Sequence, residues 1–183
     1  RETAIAYGMN PDRTVIFPWG VDLERYTPKD WSTEQRYNAF TLFCNRAWER
    51  RYGVDVLAGA FVRVARGYSN VRLMLLSGGS QGGNIRRILS RGGVLDRVQM
   101  PGQISQNDLP HWYHGADVYI SPSHVDGSSV SLMEALASGL PCLVSDIPAN
   151  KEWVVEGKNG WLFRDGDEDE LAEKISLAIE QRN

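Results

Sequence analysis

Short apolar runs alternate with longer amphipathic stretches from Ala39 to the end of the chain, and this alternation constrains the fold more than any other feature. The apolar runs predict strands at residues 39–44, 71–76, 97–100, 117–120, 141–144 and 160–163. The longer stretches predict helices at residues 54–66, 84–91, 106–114, 130–138 and 168–181. Because strands that alternate with helices form parallel sheets with helices on both faces, we expect an α/β fold built on a doubly wound, parallel, six-stranded sheet.

The first 38 residues do not follow this pattern. Residues 14–17 predict a strand, which leads into a segment that contains two prolines and Gly20. Proline and glycine favour irregular connections, and residues 29–38 are mostly polar. We therefore expect residues 1–38 to be a linker or crossover segment and residues 39–183 to be the main domain.

Residues 121–134, SPSHVDGSSVSLME, follow the fourth predicted strand and lead into a helix. The first N–H groups of a helix have no partner within the helix and lie at the positive end of its dipole, so they bind anions. A run of small residues that begins at Gly127 leaves this backbone accessible, while Asp126 and Glu134 are available to bind hydroxyl groups. The stretch predicts a site for a phosphate and hydroxyls, as in a nucleotide or a sugar phosphate.

Two other loops follow predicted strands, and ligands of open parallel sheets bind beyond the carboxyl ends of the strands. Arg46 and Arg51 follow the first strand, where arginine is suited either to bidentate phosphate contacts or to ordinary solvated surface. The glycine-rich loop at residues 77–84 lacks the glycine spacing of GxGxxG and has Asn84 where the Walker pattern needs lysine. It is either a turn that allows close backbone approach or a loop that faces a ligand.

Metal and hydrolase chemistry fit the sequence less well. The two histidines of HWYH flank two aromatic residues and are explained by an ordinary helix face. Three aspartates between residues 165 and 169 precede the last predicted helix, where acids stabilise a helix N-terminus. The segment GSSVS lacks the last glycine of a nucleophile elbow, and no histidine follows His124. We expect no metal site and no cofactor.

Composition excludes further classes of protein. The formal net charge of the 183 residues is -3, so the chain has no overall basic field for nucleic acid. No apolar run approaches the roughly 20 residues that a bilayer-spanning helix needs. Cys44 and Cys142 lie in or next to apolar runs, which predicts buried, unpaired thiols in a reducing compartment, and we expect a cytoplasmic protein.

Four segments, VIFPWGVDLERYTP, RAWERRYGVDVLAGAF, HGADVYISPSHVDGSSVSLMEALASGLPCLVSDIP and EGKNGWLF, together resemble the group 1 retaining glycosyltransferases of the GT-B fold. The resemblance extends over almost the whole chain, and the order and spacing of the segments make it specific. It covers the carboxyl-terminal half of such enzymes, the Rossmann-like domain that binds the nucleotide-sugar donor. It therefore implies a missing amino-terminal domain that binds the acceptor.

In this family two glutamates with seven residues between them mark the donor site. The second matches Glu134, which the resemblance assigns to the ribose hydroxyls, and the first is replaced by Asp126, which it assigns to the transferred sugar. Aspartate is one methylene shorter, and a displacement of about 1 Å at a reacting centre can cost roughly 100-fold in rate. The substitution implies either a deeper sugar position or contact through water.

The resemblance also supplies the diphosphate and base contacts. The basic pair that neutralises the diphosphate falls on Arg46 and Arg51, although Tyr52 separates Arg51 from the glycine that normally follows it. The remaining matches are Ser128, Ser129 and Val130, whose backbone would bind the diphosphate, and Gly102 and Gln103, which would border the base.

The resemblance implies transfer of a glycosyl group from a UDP-, GDP- or ADP-sugar, with retention of the anomeric configuration and without a required metal. The expected partners are this donor and the amino-terminal domain, through which alone a membrane would be contacted. A non-catalytic nucleotide-binding module is the alternative from another class, and an epimerase or phosphorylase of the same architecture is a further one. For a pyridoxal-phosphate-dependent phosphorylase, Lys151 would be the plausible Schiff-base lysine.

Overall fold

The computed structural model of the chain describes residues 2–15, 17, 19–30 and 39–182. Within them, six parallel strands form one sheet, as the alternation of the sequence predicts. The strands are β1 (Phe40–Cys44), β2 (Val71–Leu76), β3 (Val98–Gly102), β4 (Val118–Ser121), β5 (Cys142–Ser145) and β6 (Gly160–Phe163). Each lies within two residues of its predicted bounds.

The strand order is β3-β2-β1-β4-β5-β6, so the direction of winding reverses between β1 and β4. These two strands pair directly, with Leu42 opposite Val118 and Phe43 opposite Tyr119. In a doubly wound sheet this reversal opens a crevice beyond the carboxyl ends of the two strands. The loop that carries Arg46 and the loop at residues 122–129 both begin at this crevice.

The α-helices of the described residues are α1 (Glu2–Ala6), α2 (Val54–Gly67), α3 (Gly82–Arg91), α4 (Leu109–His114), α5 (Val130–Ala137), α6 (Pro148–Lys151) and α7 (Glu168–Gln181). Helices α2, α3 and α7 cover one face of the sheet, and α4 and α5 cover the other. The predicted acidic start of α7 is confirmed, because the Asp167 side chain accepts hydrogen bonds from the backbone N–H groups of Asp169 and Glu170. Helix α6 was not predicted, because four residues are too few to show a helical period.

Alternation along the strands divides the hydrophobic core between the two faces. One cluster, with Leu42 and Cys44, packs against α2, α3 and α7, and the other, with Phe43 and Cys142, packs against α4 and α5. The prediction of buried, unpaired cysteines is confirmed. The two thiols belong to different clusters, which is why they do not form a disulfide.

Part of the amino-terminal segment packs on the second cluster. Tyr26 is buried there, and the Lys29 ammonium donates to the carbonyl of Ala116 at 3.0 Å. The predicted strand at residues 14–17 is wrong for residues 14, 15 and 17, which lie in no strand, while residue 16 and residues 31–38 are outside the described residues. Since Val15 and Phe17 are mostly exposed, their apolar side chains do not reflect a buried strand. The assignment of residues 1–38 to a linker stays a prediction.

Candidate donor site

Helix α5 begins at the crevice, and Ser129 is its N-cap residue. The Ser129 hydroxyl accepts a hydrogen bond from the backbone N–H of Leu132 at 3.3 Å, and the residue is buried. Val130, which opens the helix, is partly exposed at 36%. The small side chains of the preceding Gly-Ser run therefore leave the first turn open on the crevice side, as an anion site at a helix N-terminus requires.

Arg46 and Asp126 meet beside this helix N-terminus. A terminal nitrogen of Arg46 lies 2.6 Å from Oδ2 of Asp126, and the other terminal nitrogen donates to Oγ of Ser129 at 3.1 Å. The two charged side chains are only 9% and 12% exposed. The three predicted site residues thus form one hydrogen-bonded cluster, although 80 positions separate the arginine from the aspartate.

One group of this cluster is unsatisfied. Nε of Arg46 is buried and has no hydrogen-bond partner among the described residues. A buried N–H group without a partner is costly, and such groups in native proteins are commonly completed by a ligand or a water. The cluster therefore has one donor that no described protein group uses.

Arg51 joins the cluster through an aromatic ring. The guanidinium carbons of Arg46 and Arg51 lie 4.3 Å and 4.7 Å from the centroid of the Tyr52 ring. Both distances are within the range of cation–π attraction. Arg51 itself is exposed, whereas Arg46 is buried. The structure thus brings the two predicted arginines to one ring, that of Tyr52.

A cavity of about 360 Å³ opens next to the helix on the side of β2 and β3. Its polar lining comes from Asn45, Ser77, Gln103, Gln106, Ser131 and Glu134, and its apolar lining comes from Leu76, Ile104, Leu109 and Val130. Gln103, Val130 and Glu134, which come from different parts of the sequence, are therefore brought together in one concave surface. Because six of the ten lining residues are polar, the cavity suits a ligand that makes several hydrogen bonds.

Glu134 is buried in the wall of this cavity and is held by a tyrosine from α4. The Tyr113 hydroxyl donates to Oε2 of Glu134 at 2.8 Å, and Nδ2 of Asn45 donates to the Tyr113 hydroxyl at 2.9 Å. The sequence patterns predicted neither residue, because the spacing in HWYH points to its two histidines and not to the tyrosine between them. A signal was present, because Tyr113 is the polar-tipped aromatic residue of a short amphipathic helix and Asn45 directly precedes Arg46.

The glycine-rich loop lies against the loop that carries Arg46. A Cβ atom on Gly79 would lie 2.6 Å from the carbonyl oxygen of Trp48, so only glycine fits there. The Glu49 carboxylate stabilises the same contact, because it accepts hydrogen bonds from the backbone N–H of Ser80 at 2.9 Å and from the Ser80 hydroxyl at 2.5 Å. Close backbone approach, one of the two predicted alternatives, is confirmed at Gly79, with the backbone of the Arg46 loop as the neighbour. Ser77 of the same loop also lines the cavity.

Gly102, predicted near the base, ends β3 at the margin of the cavity. Its carbonyl accepts from the backbone N–H of Ser77 at 2.7 Å, and its φ of +88° turns the chain toward Gln103. Gly102 is therefore a structural neighbour of two cavity residues rather than a lining residue itself.

The histidines do not form a metal site within the part of the chain that the structure describes. No group of three or more histidine, cysteine, aspartate or glutamate side chains there could hold a metal ion. Nε2 of His114 lies 2.9 Å from the carbonyl of Thr27, and Nδ1 of His124 lies 2.6 Å from Oδ1 of Asp165.

Among the described residues, no helix combines the length and apolarity needed to cross a bilayer.

Comparison with known proteins identifies the class to which this fold and site belong. The family model for glycosyl transferases group 1 matches residues 39–181, and the chain belongs to this family. Six parallel strands with flanking helices form a Rossmann-like α/β fold that matches GT-B glycosyltransferases.

Two relatives show how much of a whole enzyme the chain covers. The chain is 30% identical over 172 residues to the D-inositol 3-phosphate glycosyltransferase of Xylanimonas cellulosilytica, covering 85% of this chain and 40% of that protein. It is 31% identical over 111 residues to the UDP-N-acetylglucosamine–peptide N-acetylglucosaminyltransferase GtfA subunit of Streptococcus gordonii, covering 60% and 21%. The chain therefore spans less than half the length of these relatives.

Solved structures give the same result for the fold. The crystal structure of Anabaena HepE in complex with UDP-glucose has a TM-score of 0.84 at 22% identity, covering 97% of this chain and 51% of that chain. Sucrose-phosphate synthase from Thermosynechococcus elongatus has a TM-score of 0.76 at 25% identity, covering 89% and 42%. Each similarity covers about half of the larger protein.

Proposed function

We propose that the chain is the donor-binding domain of a retaining glycosyltransferase, which transfers a glycosyl group from a nucleoside diphosphate sugar. The observation that carries this proposal is the arrangement around the start of α5. The Arg46 cluster lies beside the helix N-terminus, and the cavity with Glu134 borders the same helix. An anion site and a hydroxyl site are thus joined in one crevice, which fits a nucleoside diphosphate.

In this assignment the diphosphate lies against the first turn of α5. The backbone N–H groups of Ser128, Ser129 and Val130 and the guanidinium of Arg46 meet its charge, with the unused Nε of Arg46 as a further donor. Negative charge accumulates on the diphosphate as the glycosidic bond to it breaks. Donors that are already in place stabilise this charge without reorganisation, and such stabilisation commonly contributes more to the rate than any other effect.

The nucleoside occupies the cavity. In this assignment Glu134 accepts hydrogen bonds from the ribose hydroxyls, and Gln103 lies beside the base of the nucleotide. The Asp126 carboxylate pairs with the Arg46 guanidinium, which it orients, and we assign it to the transferred sugar. The acceptor is bound by an amino-terminal domain, so we expect the isolated chain to bind nucleotide weakly and to transfer little sugar.

Calorimetric titration with UDP, GDP and ADP, and with their sugars, tests this function. We expect one base to be preferred, and we expect Glu134→Ala to weaken its diphosphate by about tenfold or more, because hydrogen bonds to charged groups are worth about 1.5–3 kcal/mol. Glu152→Ala, at an exposed glutamate away from the crevice, is the matched control. Equal binding by the Glu134 variant would contradict the ribose assignment.

Arg46→Ala tests the diphosphate assignment separately. Its loss of affinity should be about tenfold or more for the nucleoside diphosphate and small for the nucleoside, since only the diphosphate carries the charge that the guanidinium meets. Arg66→Ala, at an exposed arginine in the last turn of α2, controls for a general loss of positive charge. If the nucleoside loses as much affinity as the diphosphate, Arg46 has another role.

A further inference from the structure

A chain of hydrogen bonds connects the middle of the sheet to Glu134. The Tyr119 hydroxyl on β4 donates to Oδ1 of Asn45 at 3.2 Å, and Nδ2 of Asn45 donates to the Tyr113 hydroxyl at 2.9 Å. The Tyr113 hydroxyl donates in turn to Oε2 of Glu134 at 2.8 Å. The series crosses from β4 through the end of β1 and α4 to α5.

Its chemistry fixes the direction of each bond. The Glu134 carboxylate and the Ser131 carbonyl can only accept, so the Tyr113 hydroxyl donates toward them and accepts from the Asn45 nitrogen, which sets the orientation of the amide. Because its nitrogen donates to the Tyr113 oxygen, the single phenolic proton points away from Asn45 and toward α5. There it meets the carboxylate of Glu134 or, at 3.0 Å, the backbone carbonyl of Ser131. The shorter bond is the one to the carboxylate, and it is the charge-assisted one.

Packing holds the phenol in this place. Tyr113 is completely buried, and its ring lies edge-on to Phe43, with a centroid distance of 4.9 Å, and to Tyr26, with a centroid distance of 5.7 Å. Burial above all, and then the neighbouring Tyr119 and the charge of Glu134, raise the pKa of the Tyr113 hydroxyl well above its usual value. It therefore keeps its proton at neutral pH and acts as a permanent donor.

We propose that Tyr113 and Asn45 are positioning residues, which hold the Glu134 carboxylate in the orientation that recognises the vicinal diol of a ribose. The proposal rests on the proposed function and deepens it. The Tyr113 bond to Oε2 restrains rotation of the carboxylate in the cavity wall, while Asn45 lines the same cavity. A rigid acceptor discriminates strongly against a ligand that lacks the hydroxyls. Such a ligand would cover the Glu134 carboxylate without donating a hydrogen bond to it, and this costs binding free energy.

The test compares ribonucleotides with their 2′,3′-dideoxy analogues. For the base that the wild-type chain prefers among UDP, GDP and ADP, calorimetry gives the affinity of the diphosphate and of its dideoxy form. We expect Tyr113→Phe to weaken the ribonucleotide by about tenfold, the size of one hydrogen bond to a charged group, and to leave the dideoxy nucleotide within about twofold. The preference for the ribonucleotide should fall accordingly.

Asn45→Ala provides a second variant that keeps the Tyr113 ring in the core, and it should show the same selective loss. Tyr119→Phe removes the remote end of the series and should have a smaller effect in the same direction. Equal weakening of both nucleotides by Tyr113→Phe and Asn45→Ala would overturn the proposal, because it would show a general structural role. An unchanged preference in either variant would also overturn it.

Different results would contradict the proposed function and the positioning role. If Glu134→Ala leaves the preference of the chain for the ribonucleotide unchanged, Glu134 does not bind the ribose, and this result is obtained without any Tyr113 variant. If Glu134→Ala abolishes the preference but Tyr113→Phe does not reduce it, the ribose assignment stands and the positioning role is wrong. In the Glu134→Ala background, Tyr113→Phe should have no further selective effect.

Discussion

Arg46 and Asp126 form an ion pair at 2.6 Å, and both side chains are almost completely withdrawn from water. We assign the arginine to the diphosphate and the aspartate to the transferred sugar. The carboxylate therefore competes with any bound anion for the same guanidinium. Replacing Asp126 by a neutral residue should therefore affect the stability of the fold and the binding of anions in opposite directions.

Asp126→Asn should lower the free energy of unfolding by about 2 kcal/mol or more, because it leaves the buried Arg46 charge without its counter-charge. The same change should strengthen binding of inorganic pyrophosphate by a factor of about three to ten, since a nearby negative charge is removed. Denaturant titration and calorimetry measure the two effects. Asp96→Asn, at an exposed aspartate in a short 3-10 helix before β3, should change neither. Weaker pyrophosphate binding by the Asp126 variant would show that Asp126 orients Arg46 more than it opposes the anion.

Tyr52→Leu should weaken binding of the preferred nucleoside diphosphate by about five- to thirtyfold, because each cation–π contact is worth about 0.5–1 kcal/mol and two guanidinium groups share the ring. Tyr52→Phe keeps the ring and should bind nearly as the wild type does. Affinity for the free nucleoside should be the same in all three proteins. A phenylalanine variant as weak as the leucine variant would indicate that the hydroxyl, and not the ring, is important.

The two thiols should be unreactive in the folded chain. Burial raises the pKa of the Cys44 thiol to about 11 and raises that of Cys142 as well, so neither forms the nucleophilic thiolate near neutral pH. Iodoacetamide at about pH 8 should leave both cysteines unmodified in the native chain and should modify both in guanidinium, as mass spectrometry would show. Modification of either cysteine at the rate of an unfolded thiol would contradict this.

The same shift predicts a loss of stability at alkaline pH. The folded-state pKa of Cys44 lies above the unfolded value of 9.0, so its contribution is complete below pH 9 and is lost as the pH rises to about 11. The difference corresponds to about 2–3 kcal/mol. Cys44→Ala should therefore show a smaller fall in the free energy of unfolding over this pH range, as denaturant titrations at each pH would reveal. Identical pH dependence in the two proteins would contradict the assignment.

Gly53→Ala should lower the free energy of unfolding by about 2 kcal/mol or more. Gly53 has a φ of +57°, and a Cβ atom there would overlap the carbonyl oxygen of Pro122. This contact joins the loop after β1 to the loop after β4, so the substitution should also weaken nucleotide binding. Gly83→Ala, in the first turn of α3 with no neighbour near the new Cβ atom, should instead be neutral or stabilising by up to about 1 kcal/mol. Thermal denaturation of the two variants measures the contrast.

Much of the fold was predictable because strands and helices impose different spacings on apolar residues. The sheet strands, the start of α5 and its end before Gly139 follow from such local patterns. The strand predicted at residues 14–17 was wrong, because the sequence of an apolar run does not show whether the run is buried. At Val15 and Phe17 it is exposed. Whether a run is buried depends on the rest of the molecule.

The candidate site was predictable only in part. The small residues before α5 and the acids around them mark a helix N-terminus in the sequence itself. Tyr113 did not stand out, because its hydroxyl gains its role only from contact with a carboxylate 21 positions away. Tyr52 looked like an interruption of a family pattern, and its place beside two guanidinium groups became visible only when the loop was folded.

The sequence by itself determined the order of the six strands and of the five longer helices between and after them, and the family to which the chain belongs, because these depend on periodicity and on motifs whose residues are close along the chain. Only the tertiary structure decided that winding reverses between β1 and β4, that Arg46 pairs with Asp126 and that Tyr113 holds Glu134. The physical reason is that such contacts join distant parts of the chain. They depend on how the sheet and helices pack together, and the residue types alone permit many other pairings.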